Sequence, residues 1–450
     1  MKAKLRVKNF GPIAEVNLDL RNVNVIIGSQ ASGKSTLAKL YALCKSPSSF
    51  ITDDSREYQE FRLYYERNEI KNIESIRFKE ALKELNILSF LNSKSYIEYD
   101  SSIHYFKYSN GKISFNWKLS FDRSEINTID DLYNFISEYG KLNTFFNYMM
   151  ALDVYEKINP DKSSKNNDHV SEAIRLVNEH DLLKYIKKNK LDFDFLKKTI
   201  RSNFRYCELK LLDKTLYIPA ERIIAPIIKG ASLNLQKNKV PIPSHILNFA
   251  AEYENAQIDV LDLSFLGVDS RYKNVNGIDK IYLSKRKSLL LSEAATGFQS
   301  IVPLILTVLS HSDKYGYSNP SFVIEEPEIS LYPKAQYELI KYLESKRKDG
   351  SLDTTYIHTY TTHSPYVLAS FNNMLYAYKR HKELGESKNH ELSKIMPKSN
   401  WLNPENFNAY SLKNGKAVKI FNRKVGLIDD NIIDDVTDYM NDDFDRIMSL

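Results

Sequence analysis

The chain has 450 residues and a formal net charge of +6, with hydrophobic and charged fractions ordinary for a water-soluble protein. That length holds two or three domains and a large core, and so small a charge allows nucleic-acid contact without arguing for it. The two cysteines, Cys44 and Cys207, fit no zinc or redox spacing; no apolar run approaches the roughly 20 residues of a membrane span, and no signal peptide precedes the first strand, so a cytosolic protein is expected.

Residues 5–10 alternate and read as a strand, Gly11-Pro12 as a turn, and residues 14–20 as a second strand. Val23-Asn24-Val25-Ile26-Ile27 is a short buried strand. It runs into Gly28-Ser29-Gln30-Ala31-Ser32-Gly33-Lys34-Ser35-Thr36, which fits G-x-x-x-x-G-K-[ST]. Leu37, Leu40, Tyr41 and Leu43 then follow one face of a helix. The chemistry of phosphate binding needs this layout. Two glycines allow a turn whose N–H groups point inward, and the helix N-terminus adds a favourable dipole. Lys34 neutralises the β- and γ-phosphates of ATP, and the Ser35 hydroxyl ligates Mg²⁺.

Past residue 46 the character changes. Residues 55–91 are charged, with Phe61, Tyr65, Ile73, Ile76, Leu82 and Leu85 at helical spacing. Residues 96–108 and 112–121 alternate around Asn110-Gly111, a hairpin turn signal. From 128 to about 205 the pattern is helical again, interrupted by Asn159-Pro160-Asp161 and the polar run 162–168. Its basic end, from Lys184 to Arg205, reads as a solvated helix face before it reads as a nucleic-acid surface. Residues 216–222 return to a strand ending in a turn, and a loop-rich part runs to 287. Residues 294–309 are helical, Ser321-Phe322-Val323-Ile324 is a buried strand, and Pro333 opens a helix over 334–347. A strand at 354–361, a helix from Ser364-Pro365 to Phe371 and a strand at 374–379 complete an α/β pattern.

Three further motifs carry chemistry. Glu325-Glu326-Pro327-Glu328 puts acids at the end of a buried strand, where an unpaired charge is costly unless it binds something. Glu325 is placed to hold the Mg²⁺ shell and Glu326 to face the attacking water as base. Thr361-Thr362-His363-Ser364-Pro365 places a histidine at the carboxyl end of a strand, the edge where α/β sheets gather ligands, and His363 is read as a γ-phosphate contact. Ser292-Glu293-Ala294-Ala295-Thr296-Gly297-Phe298-Gln299 precedes a helix, a second candidate anion site at Thr296 and Gly297.

In this order, the four motifs resemble those of the ATP-binding-cassette (ABC) ATPases of the RecF and SMC class. Asn9-Phe10-Gly11-Pro12, the Ile324–Glu328 acids and Thr362-His363-Ser364-Pro365 look most like the OLD-like branch, in which Tyr217-Ile218-Pro219-Ala220-Glu221-Arg222 also recurs. The resemblance implies an α/β ABC-type P-loop head over 1–45 and 210–425. An inserted, mainly helical region with a β-hairpin would span 46–209. It implies a composite site in which ATP on one head is capped by the signature helix of a second copy. Glu326 would be the catalytic glutamate, His363 the switch histidine, and Ala295-Thr296-Gly297-Phe298-Gln299 the signature. Ala295 stands where that signature has its first serine, so Thr296 or Ser292 would have to supply the hydroxyl. Related ATPases sit in bacterial phage-defence systems of the Septu and PARIS types beside a nuclease or other effector. The chain is therefore expected to pair with itself and control a separate effector protein. The rivals are a DNA-repair ATPase binding DNA across a head dimer, a transporter subunit and a small-molecule kinase. Residues 426–450 read as an acidic amphipathic helix with Ile432, Ile433, Val436, Met440, Phe444 and Ile447 near one face.

Overall fold

In β1 (Ala3–Phe10) and β2 (Ile13–Leu20), Leu5, Val7, Phe10, Val16 and Leu18 turn inward while the intervening polar side chains meet solvent. The two strands pair antiparallel from Ala3 opposite Leu20 to Phe10 opposite Ile13. β3 (Val23–Gly28) is buried on both faces, as its unbroken apolar run requires, and feeds α1 (Lys34–Lys45). The computed structural model describes residues 3–46, 73–118 except 103, 128–142, 150–151, 154–155, 157–158, 179–200, 215–311 except 230–231, 239, 268 and 284–286, 321–347, 357–429 and 441–448.

α2 (Ile73–Glu84) precedes three strands, β4 (Tyr96–Ser101), β5 (His104–Ser109) and β6 (Lys112–Trp117). Asn110 and Gly111 both have positive φ, 51° and 74°, as the sequence signal for a turn there asks. β4 pairs with β1 from Lys8 opposite Tyr96 to Ala3 opposite Ser101. Residues 96–117, assigned from sequence to the insert, thus extend the main sheet of the head. β1 offers a free edge with inward Leu5 and Val7, and Ile97 and Tyr99 continue the same buried face. α3 (Ile129–Leu142) and α4 (Glu179–Lys188) instead gather a separate core of Leu132, Ile136, Met150, Val154, Leu182, Ile186, Leu196 and Ile200.

β7 (Thr215–Ile218) ends at Pro219 and a 3-10 turn over Ala220–Ile224, so the expected strand to 222 is shorter. The stretch read as loop-rich holds α5 (Ala225–Ile228), α6 (Ser232–Lys237) and α7 (Ser244–Glu254). It also holds an antiparallel sheet of β8 (Val260–Asp262), β9 (Arg271–Val275), β10 (Ile278–Tyr282) and β11 (Ser288–Leu290). Strands of three to five residues between Pro, Asn and Gly carry too little periodicity to read. Asp279 fastens this sheet, taking hydrogen bonds from Lys229 Nζ (2.6 Å), Tyr272 (2.7 Å), Asn274 (2.8 Å) and the Tyr253 hydroxyl.

α8 (Thr296–His311), β12 (Ser321–Glu325), α9 (Pro333–Lys346), β13 (His358–Thr362) and α10 (Pro365–Glu383) complete the core. The strand expected at 374–379 is the second half of α10. Val367, Leu368, Phe371, Met374 and Leu375 repeat at helical spacing on one buried face, and that period outweighs the local apolar run. α11 (Glu386–Ile395) leads to β14 (Phe407–Lys413) and β15 (Lys416–Lys419). Among the described residues the main sheet has eleven strands in the order β6-β5-β4-β1-β2-β15-β14-β3-β13-β12-β7. β14, β3, β13, β12 and β7 are parallel neighbours; the hairpin side is antiparallel. One core cluster takes Val23, Val25, Ile27, Phe322 and Ile324 with α8, α9 and α10, the other Ile26 and Val323 with α1 and β1–β5, so the sheet is covered on both sides. Each such side chain, fully buried, contributes about 1.5–3 kcal/mol over leaving it in water.

Two elements are locked by a buried polar network. Glu344 of α9 accepts from Arg347 Nε (2.7 Å) and the Tyr360 hydroxyl (2.7 Å) and faces His358 Nδ1 (2.9 Å). Burial alone would raise its carboxyl, but Arg347 and His358 hold it down to about 2.

Leu427–Ile428 pairs with Phe421–Asn422, so the helix expected from 426 does not begin there. Residues 441–448 are helical, with Phe444, Ile447 and Met448 exposed. Phe61, Tyr65, the polar run 162–168, Arg201, Arg205, Cys207, Ile432, Ile433, Val436 and Met440 lie outside the described residues; Cys44 is buried. Among the described residues no helix is long and apolar enough to cross a membrane.

Candidate active site

The phosphate loop turns where β3 meets α1. Gly28 is forced by close approach: a Cβ there would lie 2.5 Å from Leu412 O of β14 and 2.9 Å from Ser32 Oγ. Gly33 is forced by its backbone, at φ 101°, with Pro12 of the β1–β2 turn packed against it. Ala31 also has positive φ, 60°. No side chain caps the N-terminus of α1, so its first N–H groups are left for an anion. Ser29, Gln30, Ala31 and Ser35 are exposed, and Ser32, Lys34 and Thr36 are buried.

Lys34 Nζ donates to Gly28 O (2.9 Å) and Ser29 O (3.1 Å), and lies 2.9 Å from His363 Nε2. Burial lowers its pKa, and Glu326, Glu325 and Glu328 oppose that. His363 Nε2 is also 3.1 Å from Glu326 Oε1. Which contact that ring nitrogen makes depends on the tautomer: as an acceptor it takes the Lys34 N–H, as a donor it gives to Glu326. The lysine, histidine and second glutamate singled out in the sequence, far apart along the chain, thus form one contiguous group at the carboxyl edge of β3, β12 and β13.

Glu325 ends β12 at 2 % exposure. Burial raises its pKa, while Tyr217, Lys39 and the Ser35 hydroxyl pull it back. Its Oε1 has no hydrogen-bond partner among the described residues. An orphaned carboxylate oxygen beside the Ser35 hydroxyl suits Mg²⁺, which is held by one or two protein oxygens plus nucleotide phosphates. Among the described residues no group of three or more His, Cys, Asp and Glu gathers as a metal cage.

Glu326 is 29 % exposed at its side chain and has φ 42°, rare for a residue with a Cβ. Its backbone is held from two sides, N–H to Thr361 O (2.8 Å) and C=O from Arg222 Nη2 (2.8 Å). Strained backbone fixed in this manner is a mark of functional positions. Glu328, half-buried, accepts from Thr362 Oγ1 (2.7 Å) and His363 N (2.8 Å), so it sets the backbone that carries the histidine. Sequence reading placed Glu328 among the acids that end the strand and gave it no role. Arg222 appeared there inside a recurring motif without a role. Only the strongly polar end of an apolar strand hinted at either.

Thr296 and Gly297 open α8. Gly297 lies against the segment after β12, where a Cβ would sit 3.1 Å from Ser330 O. Gln299 Nε2 braces the turn by donating to Ala294 O (2.7 Å) and Ser292 O (3.1 Å). Neither Thr296 nor Gly297 makes a hydrogen bond with the phosphate loop of the same chain among the described residues, and Thr296 is exposed.

A glycine-lysine phosphate cradle, a buried acid beside it, and a glutamate–histidine pair at one edge of a mixed α/β sheet define a P-loop nucleotide-binding protein. The chain belongs to the AAA_15 family, AAA ATPase domain, whose profile matches residues 1–368. The expected α/β ATPase head is therefore the fold observed. No curated protein matches the chain. Among solved structures it is similar to an SMC head bound to the C-terminal winged-helix domain of ScpA, at 8 % identity and TM-score 0.36, covering 94 % of this chain and 99 % of that one. An SMC head domain from Thermotoga maritima matches at 10 % identity and TM-score 0.34, covering 93 % and 98 %. The recombination mediator RecF matches at 13 % identity and TM-score 0.30, again covering 93 % and 98 %.

Proposed function

We propose that this chain is an ABC-type ATPase of the OLD-like branch that binds ATP with Mg²⁺, hydrolyses it, and pairs head to head with a second copy. The observation that carries the reading is the contiguous Lys34–His363–Glu326 group beside an uncapped helix N-terminus. Lys34 and the α1 N–H groups hold the phosphates. Glu325 and Ser35 hold the metal, which supplies charge neutralisation when bound. Glu326 takes the proton of the attacking water, and His363 orients that carboxylate and meets the γ-phosphate. Thr296, exposed and making no hydrogen bond with its own phosphate loop among the described residues, and Gly297 beside it suit a nucleotide held by another head. The motif set supports a switch-like role in which the ATP state controls a separate effector, such as a nuclease, in bacterial anti-phage defence.

The test is phosphate release by the purified chain with ATP and Mg²⁺ and no added acceptor, together with light scattering of Glu326→Gln with and without ATP. Hydrolysis by the wild type and ATP-dependent doubling of mass in the variant are expected. ADP formation that needs a metabolite acceptor and releases no inorganic phosphate would make the chain a kinase.

A further inference from the structure

Arg222 is the largest side chain with no solvent exposure among the described residues. Such a charge is normally paired with a carboxylate, because burying it alone is costly. Among the described residues Arg222 forms no ion pair within 4 Å. Its donors go to four backbone carbonyls instead: Pro219 O (3.1 Å) and Glu325 O (2.6 Å) from Nη1, Glu326 O (2.8 Å) from Nη2, and Ser300 O (3.2 Å) from Nε. Two of these belong to the consecutive acids of the site. The fourth belongs to α8, one turn beyond Thr296. Pro303 lies inside that helix and has no N–H to offer the carbonyl of Gln299, so the ladder is already open on this turn. The guanidinium is a rigid plane with donors at fixed spacing, so it transmits a displacement of α8 to the Glu326 backbone with little give. That backbone, at φ 42°, sits where small shifts redirect the carboxylate.

We infer that Arg222 is a positioning residue that ties the signature end of α8 to the backbone of Glu326, so that the nucleotide capped by α8 sets the carboxylate serving the other nucleotide of a pair. This rests on the paired-head reading given above. In such a pair α8 of one head faces ATP on its partner, whereas Glu326 faces ATP on its own head. Arg222 is then the bridge between the two sites, and coupling through it is reciprocal.

The experiment measures phosphate release against ATP concentration for the full chain and for Arg222→Lys, with ATP affinity by calorimetry and pairing by light scattering in the Glu326→Gln background. The wild type is expected to show a Hill coefficient above about 1, approaching the number of coupled sites. A lysine ammonium is a point charge that cannot span Ser300 O and Glu326 O together. Arg222→Lys should therefore bring the Hill coefficient to about 1 and lower kcat about 100-fold, the usual consequence of a displaced catalytic group. ATP affinity should stay within about twofold, since no contact to the phosphate loop changes. A variant that loses rate but keeps the wild-type Hill coefficient assigns Arg222 a structural role and overturns the inference. Absence of ATP-dependent pairing in Glu326→Gln overturns the paired-head reading itself. If Arg222→Lys does not fold, hydrogen exchange on the Glu326→Gln chain decides. Peptides over 297–303 and 325–328 should gain protection together as ATP is added; protection of one without the other overturns the link.

Discussion

Lys34 donates to the carbonyls of its own loop, Gly28 O and Ser29 O, and so is aimed into the phosphate loop. Phosphate oxygens are anionic acceptors for that ammonium where the carbonyls are neutral ones. Lys34→Ala should therefore weaken ATP binding at least 100-fold, about 2.7 kcal/mol, read by calorimetry; unchanged affinity would remove the phosphate-loop assignment. Glu326→Gln should keep ATP affinity within a few-fold and lose hydrolysis by about 100-fold or more, because an amide cannot take the proton of water. If the variant turns over like wild type, the base lies elsewhere. What was legible at this scale is what is local. The loop, the acids and the histidine announce themselves because their chemistry is fixed by short spacing. Arg222 does not, because its acceptors lie 78 and 103 residues away and are backbone atoms that any side chain could accompany. Glu328 escaped for the same reason, its two donors being on Thr362 and His363.

The N-terminus of α8 makes no hydrogen bond with its own phosphate loop among the described residues. Thr296→Ala combined with Gly297→Asp should leave ATP binding intact and abolish ATP-dependent pairing, since a carboxylate would face phosphate. A Cβ at 297 is tight against Ser330 O, so melting temperature is followed alongside light scattering. Pairing that survives in a folded variant would discard the composite site. α9 and β13 are tied by Glu344. Its pKa near 2 lies below that of an unfolded glutamate, so its stabilisation is full above about pH 4.5 and is lost as pH falls from there through about 2. Glu344→Gln leaves the Arg347 charge buried without this carboxylate and should cost about 3–5 kcal/mol at pH 7, measured by urea unfolding. A change under about 1 kcal/mol would show the network to be dispensable. Elements were legible in proportion to their length. α1, α8, α9 and β12 follow their periodicity. The second half of α10 did not, because Met374-Leu375-Tyr376-Ala377 suits a buried strand as well as a helix face until Val367, Leu368 and Phe371 are counted with it.

At the scale of the molecule, sequence could separate head from insert only by composition, and composition does not report pairing. β4–β6 look like an independent hairpin region, yet their register with β1 makes them part of the head. The helical cluster around Leu132, Ile136 and Leu182 keeps its own core. One feature of the main sheet bears on how the protein is made. β3, next to the phosphate loop, is flanked by β13 and by β14, with Val23 opposite Phe407 and Gly28 opposite Leu412. The loop is thus seated against a strand that leaves the ribosome long after it. At 5–20 residues per second, translation from Val23 to Phe407 takes roughly 20–80 seconds, during which the loop has neither neighbour in place at first and one side missing almost to the end. Nascent chains arrested before residue 407 should be digested by added protease and retain no nucleotide on a filter, and chains carried past 413 should do neither. A copy cut short before β14 would therefore be expected to lack one wall of the seat of its phosphate loop.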